Sequence, residues 1–532
     1  MINAVRHFVG IDVGTGSARA GVFTVDGGML AMAKRDIAIF FEDGDMVEQS
    51  GNDIWRAVCA SVSEAVVTSG VDPASIGGIG VDATCSLVVV GPGGAPLPVG
   101  PSEDPERNII VWMDHRAVEQ ARRITQSGHD VLRYVGGTIS PEMETPKLLW
   151  LKENRPGTYR EAEHFFDLAD YLTWRASGST ARSSCTVTCK WTYLAHEQRW
   201  DPTYFHGVGL GDLADDGFLR IGTTVVPPGT KIGGLTAEAA KAMGIAAGTP
   251  VAAGLIDAHA GGIGTVGAEG RPVENMAYVF GTSSCTMTTT QQPAFVPGVW
   301  GPYYEAMLPG LWLNEGGQSA AGAAMDRLVA LHPANAEAKQ NAGNAGLSLH
   351  SYLSRSALRR SETASAAIRL AGGVHVVPEF LGNRAPFADP DSRAIIAGLG
   401  MDQSENSLLA LYVAGLSGIG YGLRQIVQVQ AENGAPVKRI VISGGAGQDD
   451  LVRQLLADTA ALPVVVTEAD EPVLLGAAIL GAVAAGRFPG IQDAMAAMTR
   501  KRTSFEPASG DIAELHRLRF STFERLQTAA RP

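Results

Sequence analysis

Basic charge is in short supply in this sequence. Forty-two Lys and Arg stand against 55 Asp and Glu, a net charge of -13, and no basic stripe runs along the chain. A duplex-binding surface needs such a stripe, so nucleic acid is not expected as a partner. Cysteine is scarce as well, with five residues at positions 59, 85, 185, 189 and 285. An odd and irregularly spaced set does not make a disulfide framework, and Cys185 and Cys189 lack a second ligand pair that would suggest zinc. Reduced thiols in a cytoplasmic protein are the expectation. The opening stretch carries no long apolar signal segment. No stretch is read as an unbroken apolar membrane span of ~20 residues, so no membrane contact is expected. Two phosphate-transfer signatures are also missing, the P-loop G-x-x-x-x-G-K-S/T and the pairing of H-R-D with D-F-G. Their absence removes two architectures and leaves phosphate transfer itself open.

What is present points to an α/β enzyme. A chain of 532 residues exceeds what one hydrophobic core usually serves, so two large domains are the default. The 64 glycines cluster beside short apolar runs and form no linker or repeat. Residues 7–13, HFVGIDV, are followed by GTGS, then ARAGVFTV, DGG and MLAMAKRDIAIF, which reads as three strands joined by two tight turns. Apolar residues at near-helical spacing mark a helix over 51–68, and a strand, IGGIGVDA, ends at Asp82. Pro146 opens a further helix, and Phe165, Phe166, Leu168 and Leu172 are core candidates. A helix over 235–248 takes Thr236 as its cap and Gly244 near its end, and VAAGLI then forms a buried strand closed by Asp257. The order strand, GT-x-S turn, strand returns at AYVF-GTSSCTMTTT, so a second domain is expected to repeat the first. LLALYVAGLSGIGYGLRQIVQVQ is a long helix, and VKRIVISGGAGQDD a strand, glycine turn and helix start. The polar stretch 331–368 is either a loop or a peripheral helix pair.

Several residues suit phosphoryl transfer, which needs a group to orient the acceptor, donors to phosphate and a divalent ion. The turn Gly14-Thr15-Gly16-Ser17 exposes backbone N–H groups that suit phosphate oxygens, and Asp12 beside it suits Mg²⁺ or, more plainly, a turn cap. Asp257, at a strand end, is either the base or a helix cap. Lys147 is a phosphate ligand or a solvated first-turn lysine. WMDHR at 112–116 is a cluster of hydrogen-bonding side chains suited to a polyhydroxylated ligand, or a surface turn.

Taken in order, GIDVGTGSARAGVF at 10–23, WMDHRA at 112–117, GLIDAHAGGIG at 254–264, FGTSSC at 280–285, FLGNRAPFADPDSRAIIAGL at 380–399 and ISGGAGQDDLVRQLLAD at 442–458 resemble the FGGY carbohydrate kinases, a group that includes glycerol kinase, xylulokinase and ribulokinases. The resemblance covers about residues 7–490. It implies two domains of the ribonuclease-H-like fold shared by actin and hexokinase, at 1–268 and 269–532, with a hinge near 258–272 and a cleft that holds sugar and MgATP. It also implies a homodimer. Asp257 matches the family's catalytic base, and Gly14, Thr15, Gly16 and Ser17 its first phosphate loop. Gly281 and Thr282 match the second, and Gly444, Gly445 and Asp449 the adenosine-side loop. Gln318 matches part of the nucleotide surface, and Asp12 stands on the metal side. The expected sugar-binding set is Asp82, Thr84, Cys85, Ser86, Asp114, His115, Arg116, Glu144, Lys147 and Asp257.

Within the group, the string TCSLV at 84–88 resembles D-ribulokinases and their ribitol-kinase-like relatives. D-Ribulose is therefore the expected acceptor, with ribitol, L-ribulose and D-xylulose as alternatives. No Gln follows Asp82, and Asp114-His115-Arg116 replaces the Arg-Glu pattern of glycerol kinase, which argues against glycerol. A sugar-sensing protein on the same fold is the non-enzyme alternative.

Overall fold

A computed structural model describes residues 6–529 and 531. The opening segment forms three antiparallel strands, β1 His7–Val13, β2 Ser17–Thr24 and β3 Met29–Asp36, as its turns predict. Helix α1, Gly51–Ser69, leads to β4, Ile76–Ala83, which pairs parallel with β1. Both central strands are almost entirely buried, which explains their continuous apolar runs. Helix α2 spans Glu144–Asn154 and α3 spans Ser184–Trp191. Strand β5, Lys231–Gly234, precedes α4, Ala237–Met243, whose N-terminus is capped by Thr236 and whose end is Gly244 in the left-handed region. VAAGLI is not one strand: it divides into β6, Pro250–Ala252, and β7, Leu255–Ile256, both parallel to β4. Helix α5, Asp257–Val266, starts directly at Asp257. The stretch expected as a hinge is thus helical through Val266.

The second sheet repeats the first. Strands β8, Asn275–Phe280, and β9, Ser284–Thr290, are antiparallel across the second GT-x-S turn. Strands β10, Trp300–Tyr304, and β11, Trp312–Gln318, extend that side. Helix α6, Gly322–Leu331, is followed by α7, Asn335–Asn344, and α8, Leu349–Arg359, so 331–368 contains a helix pair. Helix α9, Glu405–Glu432, is long and apolar enough to cross a membrane by length and composition. However, 78% of its most apolar window is buried inside the protein, and it serves as the core helix of this half. Strand β12, Arg439–Ser443, helix α10, Asp450–Ala460, strand β13, Val464–Thr467, helix α11, Pro472–Ala484, and strand β14, Lys501–Phe505, complete it.

The strand orders are β3-β2-β1-β4-β6-β5 and β11-β9-β8-β12-β13-β14, with β10 added at the β11 edge. Corresponding pairs share the same parallel or antiparallel sense. Helices α5 and α11 join the halves. One continuous core runs from Phe8 and Leu87 through Ala260, Leu474 and Leu480 to Met287 and Leu313. The contact depends on absent side chains: a Cβ on Gly80 would meet Ala477 O at 1.8 Å, and one on Gly476 would meet Ala260 O at 1.9 Å. Helix α11 can therefore lie against the first sheet and against α5, backbone to backbone.

Candidate active site

The register of the first sheet brings its acids together. Asp12 on β1 is paired with Arg19 on β2 and with Asp82 on β4, while Leu255, two residues before Asp257, also pairs with Asp82. Residues paired across a sheet project to the same side, so Arg19, Asp12 and Asp82 form a row that ends at Asp257. The Arg19 guanidinium binds Asp12 and also Glu471, 2.7 Å away. Asp82 is wholly buried, and neither carboxyl oxygen has a hydrogen-bond partner. Burial, then the neighbouring Asp12 and Asp257, push its pKa well above the ordinary range. Asp257 is partly exposed, and its Oδ1 accepts a bond from the Ala258 N–H at 2.7 Å. Burial and Asp12 push its pKa up to about 6, against the pull of that N–H, of His259 and of Lys190.

The two GT-x-S turns close over different spans, three residues in the first and two in the second. The N–H of Gly14 donates to Ser17 O at 3.0 Å, and that of Gly281 donates to Ser283 O at 2.9 Å. Gly16 and Thr282 are exposed at the tips. Trp112 Nε1 donates to Thr15 Oγ1 at 2.9 Å, and Gln49 Nε2 donates to Thr15 O at 2.7 Å, which fixes the first turn. The second turn opens on a cavity of about 740 Å³, within the size range of small-molecule sites. Gly281, Thr282, Gly445 and Asp449 line it. Gly444 holds the adjoining loop against β8: its φ is 90°, and a Cβ would meet Phe280 O at 2.5 Å. Asp449 caps α10 and accepts from Ser354 Oγ at 2.5 Å. The far wall comes from α8, through His350, Ser351 and Arg355. The polar stretch 331–368 therefore shapes this cavity, a role its sequence does not display.

Other expected residues lie elsewhere. Gln318 does not line the large cavity. Its Oε1 accepts from Tyr278 and Ser284, both at 3.1 Å, and its Nε2 donates to Ile419 O at 2.9 Å, so the amide is occupied inside the fold. Asp114 and Arg116 are fully buried in a network with each other and with Glu48, 3.0 Å from the guanidinium; Arg116 also donates to Val99 O at 2.8 Å, and Asp114 accepts from Val47 N at 2.6 Å. Their polar atoms bond to one another and to the backbone, and so hold the loop together. His115, between them, is half-exposed. Lys147 is not solvated: it is buried, donates to Glu142 O at 3.1 Å and lies 3.6 Å from Glu144. Burial pushes the Glu144 carboxyl up to about 7 against the pull of Lys147, and neither oxygen has a hydrogen-bond partner. Thr84, Cys85 and Ser86 are buried. Ser86 Oγ accepts from Trp112 N at 3.1 Å, and burial pushes the Cys85 thiol up to about 12.

Four charged residues to which the sequence assigns no role also meet here. Burial alone would lower the pKa of Lys190, yet Cys85 and Glu315 hold it well above its ordinary value. Burial works against Glu315 too, and His259, Lys190 and Arg384 hold its carboxyl down at about 2. His259 and Arg384 lie inside quoted motifs. Lys190 and Glu315 sit on α3 and β11, among residues that look like ordinary helix and strand.

The N-terminal domain of the FGGY family of carbohydrate kinases matches residues 7–264, and the C-terminal domain of the same family matches residues 276–485. The chain is an FGGY carbohydrate kinase. This kinase is 45% identical to the FGGY carbohydrate kinase domain-containing protein of Homo sapiens, over 93% of this chain and 91% of the relative. It is 38% identical to a D-ribulokinase of Saccharomyces cerevisiae, over 91% of this chain and 72% of the relative, and 28% identical to a ribulokinase of Geobacillus thermodenitrificans, over 96% and 92%. The xylulose kinase of Rhodospirillum rubrum superposes with a TM-score of 0.80 at 21% identity, covering 98% of this chain and 99% of that one. This FGGY kinase thus has the two-domain α/β fold with a cleft, and it phosphorylates a small sugar or polyol from ATP.

Proposed function

We propose that the acceptor is D-ribulose, phosphorylated at its terminal hydroxyl with Asp257 as general base. The observation that carries the mechanism is the partly exposed Asp257 at the end of a row of buried acids, at the first residue of a helix that begins where a strand ends. A carboxylate there can orient the hydroxyl and take its proton as the oxygen bonds to phosphorus. Its raised pKa makes it a better acceptor than an ordinary Asp and leaves it ionised near neutrality. Lys190 and Glu315, brought near each other from α3 and β11, would offer a donor and an acceptor to the sugar hydroxyls, which need partners when buried. Support for D-ribulose comes from TCSLV at 84–88 and from the D-ribulokinase of yeast among the relatives.

The nucleotide fits the 740 Å³ cavity, with its phosphates directed between the turns 14–17 and 281–284. The surplus of carboxylates over cations around Asp12 and Asp82 fits a hard cation such as Mg²⁺. Among the described residues no three metal-binding side chains converge on one point, so the ion would be held chiefly by the nucleotide phosphates with Asp12 nearby. When bound, it neutralises charge on the transferring group. We also assign a homodimer of cytoplasmic subunits, each divided into domains near residue 268, to be tested by sedimentation and by fractionation. A panel of pentuloses and pentitols with ATP, compared by kcat/KM, tests the substrate. D-Ribulose should lead. A higher value for ribitol, L-ribulose or D-xylulose would overturn the named acceptor and leave the kinase class standing.

A further inference from the structure

One sulfur atom brackets Asp257. The Ile256 N–H, immediately before it, donates to Cys185 Sγ at 3.4 Å, and the ring Nδ1 of His259, two residues after it, lies 3.1 Å from the same sulfur. The other ring nitrogen, Nε2, lies 3.4 Å from Glu315 Oε2 on β11 of the second sheet. Cys185 and His259 are fully buried. The first sheet's helix α3, the helix that begins at Asp257 and the second sheet thus meet in one line of polar contacts.

We propose that Cys185, His259 and Glu315 are positioning residues that act together: the sulfur pins both sides of the Asp257 corner, and Glu315 locks the histidine ring from across the cleft. This rests on the reading of Asp257 as the base. The contacts also set the charges. A sulfur that accepts from a backbone N–H and from an imidazole is stabilised as a thiolate, and a ring with a carboxylate at its far nitrogen is stabilised as an imidazolium. The other groups facing this line are Cys189 and Lys190 on α3, Cys285 on β9, Asp257 itself and Arg384 near Glu315. Against burial, the bond from Cys189 and the His259 ring hold the Cys185 thiol down, while Cys185 and Glu315 hold the His259 imidazolium up. With the thiol lowered and the imidazole raised, the pair carries opposite charges that cancel locally. Asp257 then sees a fixed dipole, and its angle to the substrate is set by backbone on both flanks. Misplacing a reacting group by a fraction of its contact distance costs rate far more than it costs binding.

Variants at Cys185 and His259, read by absorbance, turnover and melting, test this. Cys185→Ser keeps an acceptor for Ile256 N–H but cannot ionise near neutrality; Cys185→Ala removes the acceptor; His259→Gln keeps polarity without the cationic ring. The ultraviolet band of a thiolate should be present in the parent, lost in C185S and C185A, and weakened in H259Q. Turnover of C185A and H259Q should fall by about 10- to 100-fold with little change in sugar KM, and C185S should recover part of the loss. A melting curve accompanies each variant. The proposal is overturned if the thiolate band is the same in parent and C185S, or if folded C185A and H259Q turn over like the parent. It is overturned equally if kcat, KM and melting temperature move together with no recovery in C185S, since that describes packing alone. D257N separates the two claims: parent-like turnover there removes the base assignment, whereas the absorbance difference between parent and C185S reports the charged pair whatever Asp257 does.

Discussion

The two strand–turn–strand units have the same topology and opposite chemistry. In the first, the turn 14–17 lies beside Asp12, whose partner on the parallel strand is Asp82. In the second, the position matching Asp12 is Val279, and its partner on the parallel strand is Ser443. One scaffold thus carries a half that concentrates buried carboxylates beside its turn and a half that opens a cavity of about 740 Å³ there. The glycine turn and strand order are what a repeated fold preserves. The side chains that project from paired strand ends are what it varies, and function follows those.

The largest expected effect falls on the acidic half. D257N should bind sugar nearly as the parent does and lose about 10²- to 10⁴-fold in kcat, the span for losing a general base. Next, D12A should weaken metal-nucleotide-dependent turnover by about 10- to 100-fold and shift its magnesium dependence. The pH profile follows from the sign of the Asp257 shift. The base must be ionised, so kcat/KM for the sugar should fall on the acid side through about pH 6, and that limb should vanish in D257N. In the other half, G444A forces an L residue into a left-handed φ against Phe280 O and should cost about 1–3 kcal/mol of stability, measured by denaturant unfolding. The smallest effect is away from both turns. Asp167 caps the following helix through Ala169 N, has a buried unpartnered oxygen, and has its pKa raised well above normal, chiefly by burial. Its contribution to stability is full below the unfolded Asp pKa and is lost as pH rises through the folded value. D167N should therefore be neutral in acid and gain up to about 1 kcal/mol in alkali, by melting curves across pH.

Local rules carried much of the fold. The paired GT-x-S turns located both sheets, and Thr236 and Gly244 bounded their helix, because turn and cap chemistry act over a few residues. VAAGLI reads as one strand in sequence because the break at Gly254 depends on a neighbour: a Cβ there would meet Val81 O at 2.8 Å. Polar strings were the weak point. Asp114 and Arg116 look available for a ligand in sequence and are spent on each other and Glu48 in the structure. Gln318 is likewise consumed by Tyr278, Ser284 and Ile419. Conversely, nothing local marks Lys190 or Glu315, which only the fold brings near each other, from α3 and β11. A sequence lists hydrogen-bonding groups, but only packing decides which of them remain unspent.

The division of labour between the halves is tested most directly by titrating a non-hydrolysable ATP analogue, with magnesium, into D257N and G444A side by side. The account predicts nucleotide binding like the parent's in D257N, despite its lost turnover, and weakened binding in folded G444A. Loss of nucleotide binding in D257N together with unchanged binding in G444A would contradict it.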